Sequence, residues 1–253
     1  MTPSPFRAIL PLSSSTLHMI EKINLETSGF VFDMDGMLVK TQNEFHATAE
    51  CEVLKKYGVH LKPEDISKKF AGIPTKKVFK ELAPNLDPEQ LTREKWAEMY
   101  RMIEKNPLQE VEGMVDLVGE LDRKGRPISI ASASPNRWIR SCIEHKLPPT
   151  GKRLSSFFRK RYVSAEYCEK PKPYPDVFLK GKEIALTGYH GKPIEHWFAI
   201  GDGESDVVAG LAAGMNVLFL SSDNTDFDTN EKVKRFAIST ELIAYIASFS
   251  HSN

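Results

Sequence analysis

The pattern of hydrophobic and polar positions changes period along this chain. Short apolar runs that end in glycine or polar residues predict buried β-strands. These runs cover residues 30–32, 127–131, 162–164, 197–200 and 216–220. Apolar residues at helical spacing predict helices over residues 113–124, 137–145, 175–186 and 207–213. Strands that alternate with helices are typical of an α/β protein, so we predict a doubly wound parallel sheet.

The stretch between the first and second predicted strands follows a different pattern. Residues 41–107 show helical spacing and no strand signal, with Phe45, Ala49 and Val53 on one helical face. We therefore predict an α-helical domain, residues 43–106, inserted after the first strand. Its aromatic residues are interpreted as core packing.

Composition excludes several classes of protein. The chain has 253 residues, with 34 Lys and Arg balanced by 34 Asp and Glu. This neutral balance favours neither nucleic acid nor an anionic membrane surface as a partner. No apolar run approaches the length of roughly 18 residues that a membrane span needs. The basic residues between 152 and 161 are interpreted as a solvated loop around two buried phenylalanines.

The cysteines and the N-terminus bear on location. Cys51, Cys142 and Cys168 are odd in number and show no CxxC spacing, which fits a reducing compartment and predicts a cytoplasmic protein. The first twenty residues hold no acid, one arginine and three prolines, which matches neither a transit peptide nor a secretory signal. We predict that residues 1–28 form a flexible extension outside the core.

Polar residues follow three of the predicted strands. Asp33 and Asp35 follow the first strand, Ser132 the second, and Asp202 the fourth. In a parallel sheet these ends share one edge, where ligands bind. If the first strand stays extended, Asp33 and Asp35 lie on one side of it, about 6.6 Å apart. Lys172 lies between the second and third of these positions in the chain.

These residue types suit a metal ion and a phosphoryl group. Carboxylates with open positions favour Mg²⁺ over zinc, because no histidine or cysteine joins them. A hydroxyl and an ammonium beside a cation can hold a dianionic phosphoryl group. Each residue also has an ordinary interpretation: Asp202 as part of a turn, Ser132 as a strand-end hydroxyl, and Lys172 as a solvated charge.

Four motifs together resemble the haloacid dehalogenase superfamily. They are Phe-Asp-Met-Asp-Gly at 32–36, Ala-Ser-Ala-Ser at 131–134, Lys-Pro-x-Pro-Asp at 172–176 and Gly-Asp-Gly-x-x-Asp at 201–206. The helical insert is similar to the α-helical cap of the β-phosphoglucomutase-like branch. The resemblance covers about residues 29–248 and implies a catalytic core of residues 29–42 and 107–253.

The resemblance implies a role for each motif residue. Asp33 would be the nucleophile that forms an aspartyl phosphate, and Asp35 the general acid and base. The side chains of Asp33 and Asp202 and the backbone carbonyl of Asp35 would hold Mg²⁺, with Asp206 behind them. Ser132 would contribute to both catalysis and substrate binding.

The resemblance also implies where the substrate binds. Ser132, Ala133 and Lys172 would hold the phosphoryl oxygens, and Lys172 would also restrain Asp33. Thr75 and Lys76 occupy the position of the loop in the cap that determines substrate specificity. The insert would close over the site and exclude water.

Departures from the family pattern narrow the function. The mutases of this branch carry Arg where this chain has Thr75, and Lys where it has Pro135, which weakens the case for a second phosphate site. The usual histidine after the first motif appears one residue late, as His46, and receives no role. Asp35 argues against dehalogenases and phosphonate-cleaving members, which lack that acid.

The sequence therefore predicts a magnesium-dependent phosphatase that acts on a small phosphorylated, sugar-phosphate-like metabolite. Two alternatives remain open: a phosphosugar mutase, and a binding protein on the same scaffold without turnover. The expected partners are a small phosphorylated substrate, with no nucleic acid and no membrane. The expected state is a monomer or weak dimer.

Overall fold

A computed structural model describes residues 23–70, 73–223 and 225–249 of the chain. Its central feature is a sheet of parallel strands in the order β3-β2-β1-β4-β5-β6. The strands are β1 (Ser28–Phe32), β2 (Ile128–Ser132), β3 (Tyr162–Ser164), β4 (His196–Gly201), β5 (Asn216–Leu220) and β6 (Val233–Phe236). This parallel sheet confirms the predicted α/β fold class.

Helices cover both faces of the sheet. The α-helices of the described residues are α1 (Thr48–Lys55), α2 (Pro63–Phe70), α3 (Thr75–Leu82), α4 (Pro88–Ile103), α5 (Met114–Arg123), α6 (Asn136–Glu144), α7 (Ser155–Phe158), α8 (Asp176–Ala185), α9 (Glu204–Ala212) and α10 (Ser239–Ala247). Helices α5, α6 and α10 share one hydrophobic cluster with the sheet, whereas α8 and α9 share a second. The sheet therefore lies between two layers of helices.

Strand β1 shows how the sequence builds both layers. Phe30 and Phe32 are buried in the cluster with α5, α6 and α10, and Val31 between them is buried in the cluster with α8 and α9. Alternate side chains of a strand point to opposite faces, so a continuous apolar run is what a strand covered on both sides requires. Gly181 in α8 packs against Val31 so closely that an added Cβ would lie 2.6 Å from Val31 Cγ1. The helix therefore approaches the strand where it has no side chain.

The stretch between β1 and α5 is helical. It begins with a π-helical turn, Gln42–Ala47, and continues through α1 to α4. Residues of α1 to α4 bury a hydrophobic cluster of their own, including Leu54, Phe70 and Phe79. Met99 and Ile103 at the end of α4 join the main core instead. We refer to residues 42–107 as the helical insert.

Two neighbouring chain segments connect the insert to the sheet. Lys40 N donates to Gln109 O at 2.8 Å, and Val111 N donates to Leu38 O at 3.0 Å. An antiparallel bridge pairs Val39 with Glu110 between these bonds. The outgoing and returning connections therefore lie side by side.

The structure differs from the prediction at both ends of the core. Residues 1–22 of the predicted extension lie outside the described residues, but the rest of it packs on the core. Leu25 and Ser28 are buried, and Arg126 donates to the carbonyl oxygens of Leu25 and Glu26. Strand β6 and helix α10 were not predicted. Only the two end residues of β6, Val233 and Phe236, are buried, so the strand has no apolar run.

The basic residues around α7 have acidic partners. This region is interpreted from the sequence as a solvated loop around two buried phenylalanines. Phe158 is fully buried as expected, whereas Phe157 is half-buried. The ion pairs are Lys152–Asp116, Arg153–Glu144, Arg159–Asp122 and Arg161–Asp122.

Across the ranges that the structure describes, no helix is both long and apolar enough to cross a membrane.

Candidate active site

Three carboxylates meet at the carboxyl end of the sheet. Asp33 follows β1 directly, Asp202 follows β4, and Asp206 lies in the first turn of α9. The Asp33 N–H donates to Ile200 O at 2.7 Å, which extends the pairing of β1 and β4 up to the site. One oxygen from each carboxylate lies within 4.8 Å of the others. We call Asp33, Asp202 and Asp206 the acidic cluster.

Lys172 neutralises part of this cluster. Its Nζ lies 2.5 Å from Asp33 Oδ1 and 2.6 Å from Asp206 Oδ1, and it donates to Ala131 O at 2.8 Å. The side chain is almost fully buried, so the ammonium is committed to these partners. Lys172 is therefore not the solvated charge of the ordinary interpretation.

Burial and crowding disturb the ionisation of the cluster. Burial, opposed by Lys172 and assisted by Asp206 and Asp35, raises the pKa of Asp33 to about 7. Burial together with Asp33 and Asp206 raises the pKa of Asp202 above its ordinary value. Burial would lower the pKa of Lys172, but Asp206 and Asp33 outweigh it and raise the value. Fully ionised, the three carboxylates would carry more negative charge than Lys172 offsets, which is why they resist ionisation.

This excess charge and the all-oxygen donor set fit a hard divalent cation such as Mg²⁺. Gly36 and Gly201 make room for the donors. A Cβ at Gly36, where φ is +87°, would collide with Asp202 Oδ2, and a Cβ at Gly201 would lie 2.5 Å from Asp206 Cβ. Glycine at these two positions is thus required by the carboxylates beside them.

Asp35 belongs to a different environment from the acidic cluster. Strand β1 ends at Phe32 and the chain turns at Gly36, which has a positive φ, so Asp35 lies in the connection between them. Its Oδ1 accepts hydrogen bonds from Thr41 Oγ1 at 2.8 Å and Trp138 Nε1 at 2.9 Å. The expected separation of about 6.6 Å between the Asp33 and Asp35 carboxylates on one side of the strand stays a prediction.

Serine hydroxyl groups donate hydrogen bonds to the other carboxylate oxygen of Asp35, Oδ2. Ser134 Oγ donates to Oδ2 at 2.7 Å, and Ser132 Oγ lies 3.4 Å from the same atom. Burial alone would raise the pKa of Asp35, but hydrogen bonds from His46, Trp138 and Ser134 hold that pKa below its usual range. Ala133, between the two serines, is exposed at the rim of the site.

His46 reaches Asp35 because of the π-helical turn. The His46 N–H donates to Thr41 O five residues earlier, and this wider turn accommodates one extra residue. His46 Nε2 then lies 3.4 Å from Asp35 Oδ1. The late position of this histidine, which left it without a predicted role, is compensated by the local backbone.

A buried lysine extends this network into the insert. Lys95 Nζ lies 2.8 Å from His46 Nδ1 and 3.2 Å from Thr75 Oγ1, and Thr75 donates to Glu50 Oε1 at 3.2 Å. With Nδ1 accepting from Lys95, His46 Nε2 is the donor to Asp35. Burial, opposed by Glu50 and Asp35, lowers the pKa of Lys95 to about 8.

The two predicted specificity residues of the insert have different surroundings. Thr75 belongs to the buried network just described. Lys76 Nζ lies 2.7 Å from Glu89 Oε1 in an exposed ion pair. Substrate contact by Lys76 stays a prediction, and this ion pair does not support it. Gly72 of the same loop lies outside the described residues.

Sequence reasoning missed Trp138 and Lys95. Trp138 looks like any apolar residue of an amphipathic helix, and its hydrogen bond to Asp35 joins residues far apart in the chain. A signal for Lys95 was present, because it stands between Leu91 and Met99 at i, i+4 spacing in an otherwise buried stripe. A lysine in that position requires buried partners.

The fold and the acidic cluster define an α/β protein with an oxygen-donor site at the carboxyl ends of its parallel strands. A family model for haloacid dehalogenase-like hydrolases matches residues 30–220. The chain belongs to this family, which confirms the predicted resemblance and the assignment as a hydrolase.

Similar proteins of known structure share this fold. A family IA, variant 3 HAD hydrolase from Entamoeba histolytica is 21% identical with a TM-score of 0.68, covering 87% of this chain and 99% of that one. CbbY from Rhodobacter sphaeroides, in complex with phosphate, is 19% identical with a TM-score of 0.65, covering 85% and 96%. A CbbY mutant holds xylulose-(1,5)bisphosphate and is 18% identical with a TM-score of 0.63, covering 82% and 93%.

One curated relative is much longer than this chain. Protein SUPPRESSOR OF QUENCHING 1, chloroplastic, from Arabidopsis thaliana is 27% identical over 203 residues. The match covers 76% of this chain and 18% of the relative. The predicted cytoplasmic location of this chain stays a prediction.

Proposed function

We propose that this protein is a magnesium-dependent phosphatase that hydrolyses a small phosphorylated metabolite through an aspartyl phosphate on Asp33. The observation that carries the proposal is the contrast between two carboxylates. Asp33 lies in the acidic cluster beside Lys172, whereas Asp35 accepts hydrogen bonds from Thr41 and Trp138 in a separate network. Two carboxylates in different environments can take different roles in one reaction.

Asp33 is the proposed nucleophile. Its oxygen attacks phosphorus, the new oxygen–phosphorus bond forms, and the bond from phosphorus to the ester oxygen breaks. Asp35 has to be protonated for this step, a form that the negative charge of the bound phosphoryl group favours against the donors that lower its pKa. It gives that proton to the ester oxygen, which leaves as an alcohol. Lys172 restrains Asp33 and favours its ionised form, which is the nucleophilic one.

Mg²⁺ would be held by Asp33, Asp202 and the Asp35 carbonyl, and when bound it supplies positive charge that offsets the developing charge on the phosphoryl oxygens. Asp206 holds both Lys172 and the start of α9. Its Oδ1 lies 2.6 Å from Lys172 Nζ, and its Oδ2 accepts the Gly203 N–H at 3.0 Å. Ser132 and Ala133 complete the proposed phosphoryl site.

The second step returns Asp33 to its starting state. A water molecule attacks phosphorus, its proton passes to the Asp35 carboxylate, and the bond between phosphorus and Asp33 breaks to release inorganic phosphate. The ionised, fully hydrogen-bonded Asp35 described here suits this step, because a general base must be unprotonated.

A small substrate is supported by the insert. The side chains of Thr75, Lys95 and Glu50 bind each other, so the insert presents a compact polar network rather than a free arginine for a second phosphate. CbbY structures hold phosphate and a sugar bisphosphate, which supports sugar-phosphate-like substrates. A mutase lacks comparable support, because Thr75 and Pro135 replace the basic residues that a second phosphate needs.

The test is phosphate release from sugar phosphates, glycerol phosphate and nucleoside monophosphates, with Mg²⁺ and with chelator. Release that needs Mg²⁺ and is lost in Asp33→Asn supports the proposal. Release that persists in Asp33→Asn would contradict the assigned nucleophile. No release, together with a raised Tm on addition of one compound, would favour a binding protein.

A further inference from the structure

Trp138 is the centre of an aromatic cluster between α6 and the helical insert. Its side chain is fully buried. Its ring centroid lies 6.1 Å from that of Trp96 and 6.2 Å from that of Tyr100, both on α4. The rings of Phe45 and His46, from the π-helical turn, lie 5.7 and 6.1 Å away. Contacts on this many sides fix the plane of the indole.

The same indole makes a polar contact with the proposed general base. A buried tryptophan N–H needs an acceptor, and Trp138 Nε1 donates to Asp35 Oδ1 at 2.9 Å. A carboxylate that accepts from a rigid donor has little rotational freedom. The packing of the ring therefore determines where Asp35 Oδ1 lies.

The other donors to Asp35 are differently placed. Ser132 and Ser134 follow β2, and Thr41 follows the connection from β1, so the sheet positions these hydroxyls. His46 belongs to the π-helical turn, and Lys95 of α4 contacts its other ring nitrogen. The Trp138 indole is buried in the core and also packs against aromatic rings of α4. Tyr100 makes a cation–π contact with Arg137, whose guanidinium carbon lies 4.2 Å from the centroid of the Tyr100 ring. This arrangement links the position of the insert to the orientation of Asp35.

We propose that Trp138 is a positioning residue that orients the Asp35 carboxylate to accept the proton of the attacking water, and that the rings of the insert hold Trp138 for this purpose. The proposal rests on the proposed function. It assigns to Trp138 a role in the hydrolysis of the aspartyl phosphate. With a leaving group that departs without a proton, removing the indole N–H should therefore slow the second step alone.

The test uses Trp138→Phe with 4-nitrophenyl phosphate. Its aryl leaving group departs without a proton, so formation of the aspartyl phosphate does not depend on Asp35. We expect kcat to fall about tenfold, because a misdirected general base loses part of its contribution. We expect kcat/KM to stay within about twofold, because it reports steps up to phosphoenzyme formation. A pre-steady-state burst of 4-nitrophenolate should approach one equivalent per enzyme.

Two further variants make the test specific. Trp197→Phe makes the same change in a half-buried tryptophan near the start of β4, at the amino ends of the strands and away from the site. It should leave kcat, kcat/KM and the burst as in wild type. Tyr100→Leu leaves the Trp138 N–H intact but removes a ring that holds it. It should show a smaller fall in kcat with the same burst. It also carries the test if Trp138→Phe does not fold.

Other outcomes overturn the proposal in distinguishable ways. Equal losses in kcat and kcat/KM without a burst would mean that Trp138 is merely structural. Unchanged kinetics would exclude any role in positioning Asp35. Turnover by wild type that is lost in Asp33→Asn would leave the proposed function standing in both cases. Absence of turnover by wild type would overturn the proposed function and this proposal with it.

Discussion

Lys172 and Asp33 form a buried ion pair, with Nζ 2.5 Å from Oδ1, between residues 139 positions apart in the chain. The pair joins the loop before α8 to the end of β1. Because both side chains are almost fully buried, neither can turn away without leaving a buried charge unpaired. Asp33 is therefore held in one place before any substrate arrives.

Asp33→Asn should abolish turnover and leave the fold intact. The amide keeps the shape of the side chain but is not a nucleophile, so we expect phosphate release to fall by at least about a thousandfold. Phosphate release and circular dichroism measure the two effects. Asp223→Asn is the matched control, since Asp223 is exposed, and it should change neither. Residual turnover near the wild-type rate would remove Asp33 from the mechanism.

Asp202→Asn should raise the Tm in chelator and remove the stabilisation by Mg²⁺. Burial with Asp33 and Asp206 raises the pKa of Asp202, so its ionised form opposes folding at neutral pH. The amide removes that cost and also removes a metal ligand. Thermal unfolding at pH 7, with Mg²⁺ or with chelator, measures both effects.

The size of the Asp202→Asn effect can be bounded. A gain of 1 kcal/mol in a protein of this size raises the Tm by about 2–4 °C. An undiminished Mg²⁺-dependent rise in Tm would exclude Asp202 from the metal ligands. A lower Tm in chelator would contradict the charge argument instead.

Gly36→Ala should weaken metal binding more than Gly58→Ala does. Both glycines have positive φ, +87° and +79°, so alanine costs about 1–2 kcal/mol of backbone strain at each. Only at Gly36 would the added Cβ collide with a carboxylate, that of Asp202, while the space beside Gly58 is open. The Mg²⁺ concentration for half-maximal activity should therefore rise in Gly36→Ala alone. Equal Mg²⁺ dependence would show that Asp202 moves aside without consequence.

Lys95→Met should change how stability depends on pH. Burial lowers the pKa of Lys95 to about 8 from its ordinary 10.5, so between these values the unfolded chain binds the additional proton. The wild type should therefore gain stability from this group as pH rises from about 8 towards 10.5, and the methionine variant should not.

Urea unfolding of both proteins across this pH range measures the difference, since other titrating groups contribute to both. Lys77→Met, at an exposed position of the insert, is the control and should follow the wild type. Parallel curves for wild type and Lys95→Met would mean that Lys95 is not ionised differently in the folded state.

Much of the fold and the acidic cluster could be predicted from local patterns. Strands β3 and β5 match their predicted bounds. In β5 this follows from the continuous apolar run that a buried parallel strand needs. The acidic cluster was predictable for a related reason, since parallel strands bring their carboxyl ends to one edge. Strand β6 escaped prediction because its inner residues, Lys234 and Arg235, are only half-buried.

The surroundings of Asp35 could not be predicted. The direction of its side chain depends on where β1 ends, and its partners Trp138 and Ser134 come from another element about a hundred residues away. The role of His46 depends on a π-helical turn that no pattern of residues indicates. Long-range contacts of single side chains leave no periodic pattern.

The bridge between Val39 and Glu110 has an evolutionary consequence. Because the chain leaves and re-enters the sheet region at adjacent points, the insert occupies a single locus between β1 and α5. Residues within it can be gained, lost or replaced without changing the strand order or the spacing of the acidic cluster. Parts of the insert away from His46 and from the rings that pack on Trp138 can therefore diverge while the acidic cluster is inherited unchanged.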